Sequence, residues 1–186
     1  MKLESKTELS NAQRLLERKR KEAARRRGWG NLALKMFCTA LTMYLVFGVF
    51  IGISSVRGNS MEPTMENGDV VLFSRLGEKK KGDLVILHKE KSVHLIKRIV
   101  ATAGDTVDID NKSGELLING VRTQEDYIYV QTYQMKNGIE FPLVLKENEV
   151  FVLGDNRAIS LDSRELGPID INLIDGKVIL TFRLLK

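Results

Sequence analysis

Between residues 36 and 56 the chain runs MFCTALTMYLVFGVFIGISSV, 21 residues without one formal charge. At 1.5 Å per residue a helix of that length crosses the hydrocarbon layer of a bilayer. The run has no polar face, so it predicts a membrane-spanning helix rather than a core helix. The preceding RKRKEAARRRGWGNLALK is a basic cluster of the kind that stays cytoplasmic, with Trp29 placed as an interfacial anchor. A cleavable signal peptide has the same order of regions but a shorter apolar part and a small-x-small cleavage site, so the length favours an uncleaved anchor. Further upstream, Ser10 and Gln13 suit a capping box at the start of a helix, and this basic tail reads either as a solvated topogenic segment or as a dock on anionic lipid. Gly48 and Gly52 form a G-x-x-x-G pattern, found on dimerising faces and in membrane helices generally.

After Arg57 the rhythm changes. DVVLFS, DLVILH, VHLIKRIVA, DTVDID, YIYV, EVFVLGD and KVILTFRL are short runs rich in β-branched residues, separated by Gly, Asn and Asp. Within ELLINGVRT, Asn119-Gly120 marks a hairpin turn. These patterns predict a mainly β fold: an antiparallel β-sheet domain tethered by one N-terminal transmembrane helix. The expected organisation is a basic cytoplasmic tail over residues 1–35, the helix over 36–56, and an extracytoplasmic domain over 57–186.

Charge sharpens the division. The net charge is +5, but the first 35 residues carry 11 Lys and Arg against 4 Asp and Glu. The rest carries 18 against 20, so the basicity belongs to the tail and no nucleic-acid partner is indicated. Cys38 is the only cysteine, which excludes an internal disulfide and any multi-cysteine metal cluster. His88 and His94 lack the neighbouring ligands of a usual metal site, and no nucleotide-binding loop is visible. No metal and no cofactor are therefore expected.

Three polar features remain. Ser60 lies in GNSMEPTM, where Pro63 restricts both itself and Glu62, and Gly58 permits close approach of another backbone. A serine hydroxyl needs a base before it acts as a nucleophile; otherwise this is a turn serine. In VHLIKRIVA, alternation puts Val93, Leu95, Lys97, Ile99 and Ala101 on one face, with Arg98 on the other. Lys97 is then the sole ionisable group on an apolar face, where desolvation drives a lysine toward the neutral amine that a base must be. Its plainer role is a lysine snorkelling to water. His94 with an aspartate would be a competing base. The third feature is GDNRAISLDSRELGPI, residues 154–169, a dense polar run that is costly to order unless its groups satisfy one another.

Together these segments resemble the bacterial type I signal peptidase family. SMEPTM resembles its serine box, KRIVATAGD its lysine box, and GDNRAISLDSRELGPI its last box, in the family's order and behind a membrane anchor. The resemblance covers about residues 36–186 and implies an antiparallel β-sheet catalytic domain, in which the short segment between the lysine box and the last box leaves room for a small β subdomain at 106–148. It implies a membrane-anchored serine endopeptidase that removes signal peptides from exported pre-proteins, with Ser60 as nucleophile and Lys97 as general base. By the same resemblance Ser160 orients the lysine amine, while Asp162, Arg164 and Arg98 brace the site. Some relatives place a serine donor two residues before the nucleophile; Gly58 stands there, leaving main-chain N–H groups, that of Ser60 first, to hold the oxyanion. Where relatives have Gly-Leu-Pro-Gly-Asp after the lysine, this chain has Ala101-Thr102-Ala103-Gly104-Asp105, which removes a proline from the turn. Met61 and Leu95, with the rest of the 93–101 strand, are the candidates to contact substrate, in pockets small enough to select small side chains at −1 and −3. The implied partners are exported precursors, plasma-membrane lipid and the secretion machinery, at a bacterial plasma membrane with the N-terminus inside. An assembly chaperone for a surface polymer such as a pilus is the alternative role, since signal-peptidase-like proteins without the dyad do this. A self-cleaving DNA-damage repressor would need a helix-turn-helix where this chain has its membrane span.

Overall fold

The computed structural model describes residues 2–88 and 94–183, in two compact units, Met1–Gly48 and Val49–Lys186. Helix α1 (Lys2–Tyr44) continues as π-helical turns over Leu45–Phe50. Arg18–Phe50 is long and apolar enough to cross a membrane, and no side chain described in it is buried within the protein. Phe37, Met43, Phe47 and Val49 are all exposed, which a helix apolar all round tolerates where lipid replaces water. Thr39 and Thr42 donate their hydroxyls to the carbonyls of Lys35 and Cys38, so their polar atoms are satisfied within the helix.

Two expectations for this region need correction. Helix α1 is already running at Ser10, so Ser10 and Gln13 do not open it; their side chains lie outside the described residues. The helix also stops at Phe50 rather than 56. Ile51–Ser55 is strand β1, paired antiparallel with β2 (Val70–Ser74). Gly, β-branched and Ser residues are mediocre helix formers, and an uncharged run suits a strand as well as a span. Gly52 therefore belongs to no helical G-x-x-x-G face. It is buried in β1 beneath the Phe73 ring, where an added Cβ would come within 2.1 Å of a ring carbon.

The second unit is mainly antiparallel β, as the alternating runs predict. The remaining strands are β3 (Leu84–His88), β4 (His94–Ala101), β5 (Thr106–Asp110), β6 (Glu115–Ile118), β7 (Val121–Arg122), β8 (Leu143–Val144), β9 (Glu149–Leu153), β10 (Ile169–Asp170) and β11 (Ile174–Phe182). Seven form one sheet in the order β1-β2-β11-β3-β4-β9-β10, and four form a second in the order β7-β6-β5-β8. Asn119 and Gly120 take φ of 55° and 75° at the β6–β7 turn, the left-handed pair that a tight hairpin requires. YIYV, however, is not a strand: residues 127–130 form irregular turns, and Tyr127 is engaged in side-chain contacts instead of a ladder.

Three apolar clusters hold the sheets. Val85, Leu87, Ile99, Val150, Val152 and Ile174 pack together with Leu95 against them. Met61, Met65, Val71, Phe73, Ile86 and Ile96 form a second group. The small sheet contributes Val107, Ile109, Leu116 and Ile118 to a third cluster, which it shares with Val100, Ala101, Phe151 and Leu153 of the larger sheet. A bulge between Ile99 and Ala101 explains why Ala101 joins Val100 rather than keeping the face of Leu95 and Ile99. Val93, expected on that face, lies outside the described residues.

Candidate active site

Ser60 sits in the turn between β1 and β2, half-buried, while Lys97 on β4 is only 2% exposed. The Lys97 Nζ lies 2.8 Å from the Ser60 Oγ and donates to the Ile96 carbonyl at 3.1 Å. Burial lowers the amine from 10.5 to about 8, against the charges of Asp162 and Asp155 that would raise it and with that of Arg164, which also lowers it. A neutral amine can accept the serine proton while still donating to the carbonyl. The pair thus joins a reachable hydroxyl to a desolvated base. Two clefts, of about 550 and 580 Å³, open elsewhere; one is walled by Leu116, Arg122 and Tyr129, the other by Lys79, Lys80 and Glu147. Neither is lined by Ser60 or Lys97.

The turn carrying Ser60 is held from far along the chain. Asn156 donates its backbone N–H to the Ser60 carbonyl at 3.0 Å and its side-chain amide to the Asn59 carbonyl at 3.1 Å. Thr64 donates its hydroxyl to Asp155 at 2.5 Å. The Ser60 N–H has no partner among the described residues and is free to donate to a substrate oxygen. Gly58 is not: its N–H donates to Asn67 Oδ1 at 3.0 Å, and its φ of 80° fixes it as a turn glycine.

Behind the pair, the polar run after β9 satisfies itself through buried ion pairs. Arg98 grips Asp155 with two bonds, of 2.8 and 2.6 Å, and Asp155 is wholly buried. Asp162 caps the short helix α2 (Ser163–Leu166), accepts the Gly154 N–H, and takes two bonds from the Arg164 guanidinium at 2.9 and 3.0 Å. Arg157 makes a third pair with Glu125, at 3.0 and 2.6 Å. Paired guanidinium and carboxylate groups can be buried where either alone would be prohibitive.

Ser160 departs from its expected place. Its hydroxyl is buried, 3% exposed, and makes no hydrogen bond to any described residue, so it does not hold the Lys97 amine here. It occupies the space beside Gly154 where a Cβ would stand, 2.1 Å from that position, and the Ser60 carbonyl borders the same space at 2.5 Å. Met61 also differs: at 1% exposure its side chain faces into the core among Val56, Met65 and Val71, because the turn needs an apolar foot. It presents no surface to a substrate. Leu95 is half-buried against the Val85 cluster. The turn after β4 keeps its order without proline: Asp105 accepts from the Thr102 N–H at 2.8 Å and the Asn119 amide at 2.9 Å, and pairs with Lys81.

Thr64, Glu125 and Tyr127 escape sequence reasoning. Thr64 lies inside the serine segment, but its partner is 91 residues away. Tyr127 opens the run YIYV, whose alternation reads as a strand, and Glu125 lies just before it, with no local sign that they reach two arginines.

A family model described as signal peptidase, peptidase S26, matches residues 29–183. Signal peptidase IB of Staphylococcus aureus is 33% identical over 162 residues, which cover 77% of this chain and 84% of that protein. Signal peptidase I of Bacillus licheniformis is 37% identical over 133 residues, covering 65% of this chain and 70% of that protein. Among solved structures, a signal peptidase I from Enterococcus faecalis aligns with a TM-score of 0.45 and 26% identity over 56% of this chain and 99% of its own. The family match takes in both sheets, the turn bearing Ser60, Lys97 and the polar run after β9, and the chain belongs to the S26 family of signal peptidases.

Proposed function

We propose that this signal peptidase cleaves exported precursors with a Ser60–Lys97 dyad while anchored in the plasma membrane by its N-terminal helix. The neutral Lys97 amine takes the Ser60 proton as Oγ attacks the scissile carbonyl carbon. The resulting oxyanion is held by main-chain donors, first the unengaged Ser60 N–H. Collapse breaks the C–N bond, the leaving amine takes the proton from the Lys97 ammonium, and the signal peptide remains esterified to Ser60. Water then attacks the ester, gives a proton to Lys97, and the proton returns to Oγ as the C–O bond breaks. Asp162, Arg164 and Arg98 keep the 154–164 segment folded behind the pair. Leu95 borders the substrate side. The basic tail stays in the cytoplasm and the β-sheets lie outside, where precursors present their cleavage sites.

The observation that carries this reading is the 2.8 Å approach of a buried amine, lowered to about 8, to a half-buried hydroxyl. Ser60→Ala and Lys97→Ala are each expected to abolish cleavage of a secreted precursor while the thermal transition persists. A near-normal rate from either one overturns the dyad.

A further inference from the structure

Strand β9 ends at Leu153, so residues 154–156 have no ladder to fix them, yet they hold the nucleophile's turn by three hydrogen bonds. Asp162 accepts the Gly154 N–H, and a pair of arginines holds the rest of the segment: Arg157 Nε donates to the Gly154 carbonyl at 2.9 Å, and Arg98 grips Asp155. Both arginines converge on one corner of the chain, just beyond β7. The Glu125 carboxylate takes two Arg157 bonds and, at 2.7 Å, the Tyr127 hydroxyl, while Arg157 also donates to the Thr132 hydroxyl. The Tyr127 ring lies face-on to the Arg98 guanidinium, 4.0 Å from carbon to centroid.

We infer that Glu125 and Tyr127 are positioning residues for the peptidase reaction, holding Arg157 and Arg98 together so that residues 154–156 keep Ser60 in register with Lys97. The inference rests on the dyad reading above. Neither residue hydrogen-bonds to Ser60 or Lys97; both act through the arginines. Burial and the Glu125 charge push the Tyr127 phenol up, so its hydroxyl remains a donor wherever the enzyme works.

The corner also touches the electrostatics of the base. The charged groups acting on Lys97 are Asp162, Asp155 and Arg164. Asp155 is compensated by Arg98, and Arg98 by its seat on Tyr127. Loosening Arg98 leaves more of the Asp155 charge to act on Lys97, which stabilises the ammonium and moves the acid limb of activity to higher pH.

The test uses the full chain in detergent micelles and a synthetic precursor peptide with Ala at −1 and −3. Tyr127→Leu is expected to lower kcat about tenfold, with KM changed less than about twofold and the acid limb raised by about half a pH unit. Tyr127→Phe, which keeps the ring, should recover kcat to within about threefold of the parent. Glu125→Gln should lower kcat at least about threefold, and decides the matter if Tyr127→Leu does not fold. Tyr129→Leu, at a position 78% exposed, is the control and should match the parent. Parental kcat and acid limb in a folded Tyr127→Leu, or parental kcat in Glu125→Gln, overturns the positioning role, as does a loss in Tyr127→Leu that Phe fails to rescue. If Ser60→Ala or Lys97→Ala retains activity, the dyad itself fails; if both are dead and the corner variants are normal, only this inference falls.

Discussion

Replacing Lys97 by methionine isolates the cost of keeping an amine out of water. In the fold the amine titrates at about 8, whereas its ordinary value is 10.5. The folded protein therefore binds fewer protons than the unfolded chain between those values, and stability rises with pH across that window. Below 8 both states are protonated and the burial penalty is complete; above 10.5 neither is, and the penalty is gone. Each tenfold is about 1.4 kcal/mol, so the ammonium costs about 3 kcal/mol at pH 7 and under about 1 kcal/mol at pH 10. Methionine nearly conserves the volume, and it loses the bonds to Ser60 and Ile96, at roughly 1 kcal/mol each. The variant should thus gain about 1 kcal/mol over the parent at pH 7 and become the less stable of the two by pH 10, while cleaving no precursor. Urea denaturation of both proteins in one detergent at the two pH values measures it. The difference between the two pH values is the decisive quantity, because packing terms cancel in it. If methionine changes stability equally at pH 7 and pH 10, Lys97 carries no burial penalty and cannot be a base of the proposed kind.

Two further substitutions probe the backbone around the site. Gly154→Ala places a methyl 2.1 Å from the Ser160 hydroxyl and 2.5 Å from the Ser60 carbonyl, so it should lower kcat by at least about tenfold in peptide-cleavage assays, with a detectable loss of Tm. Gly52→Ala drives its methyl into the Phe73 ring and should destabilise the protein by about 1–3 kcal/mol in urea titrations; Phe73→Leu in the same chain should return part of that loss.

Elements set by local chemistry were legible before any coordinates. Strands such as β2, β3 and β5 follow from alternation, and the β6–β7 hairpin from Asn119-Gly120, because these signals lie within a few residues of what they specify. The end of the helix was not legible: residues 51–55 are as uncharged as those before them, and only pairing with β2 makes them a strand. YIYV misleads for the opposite reason, since its alternation suits a ladder but Tyr127 finds Arg98 and Glu125. At the site, Ser60 and Lys97 could be singled out as a turn hydroxyl and a lone cation on an apolar strand. Their supports could not, because Thr64–Asp155 and Glu125–Arg157 span tens of residues and leave no periodic trace. The inward foot of Met61 and the unbonded Ser160 hydroxyl likewise depend on how the turn and Gly154 pack.

The bond from the Asn156 side chain to Asn59 spans 97 positions of sequence. Because synthesis proceeds from the N-terminus, a nascent chain carries Ser60, the proposed nucleophile, long before the residues that clamp its turn have been made. A truncated product ending before β9 would carry both members of the proposed dyad yet lack the means to seat one against the other. On the proposed mechanism, premature termination therefore yields inert fragments, and the peptidase is disarmed until its own translation is nearly done.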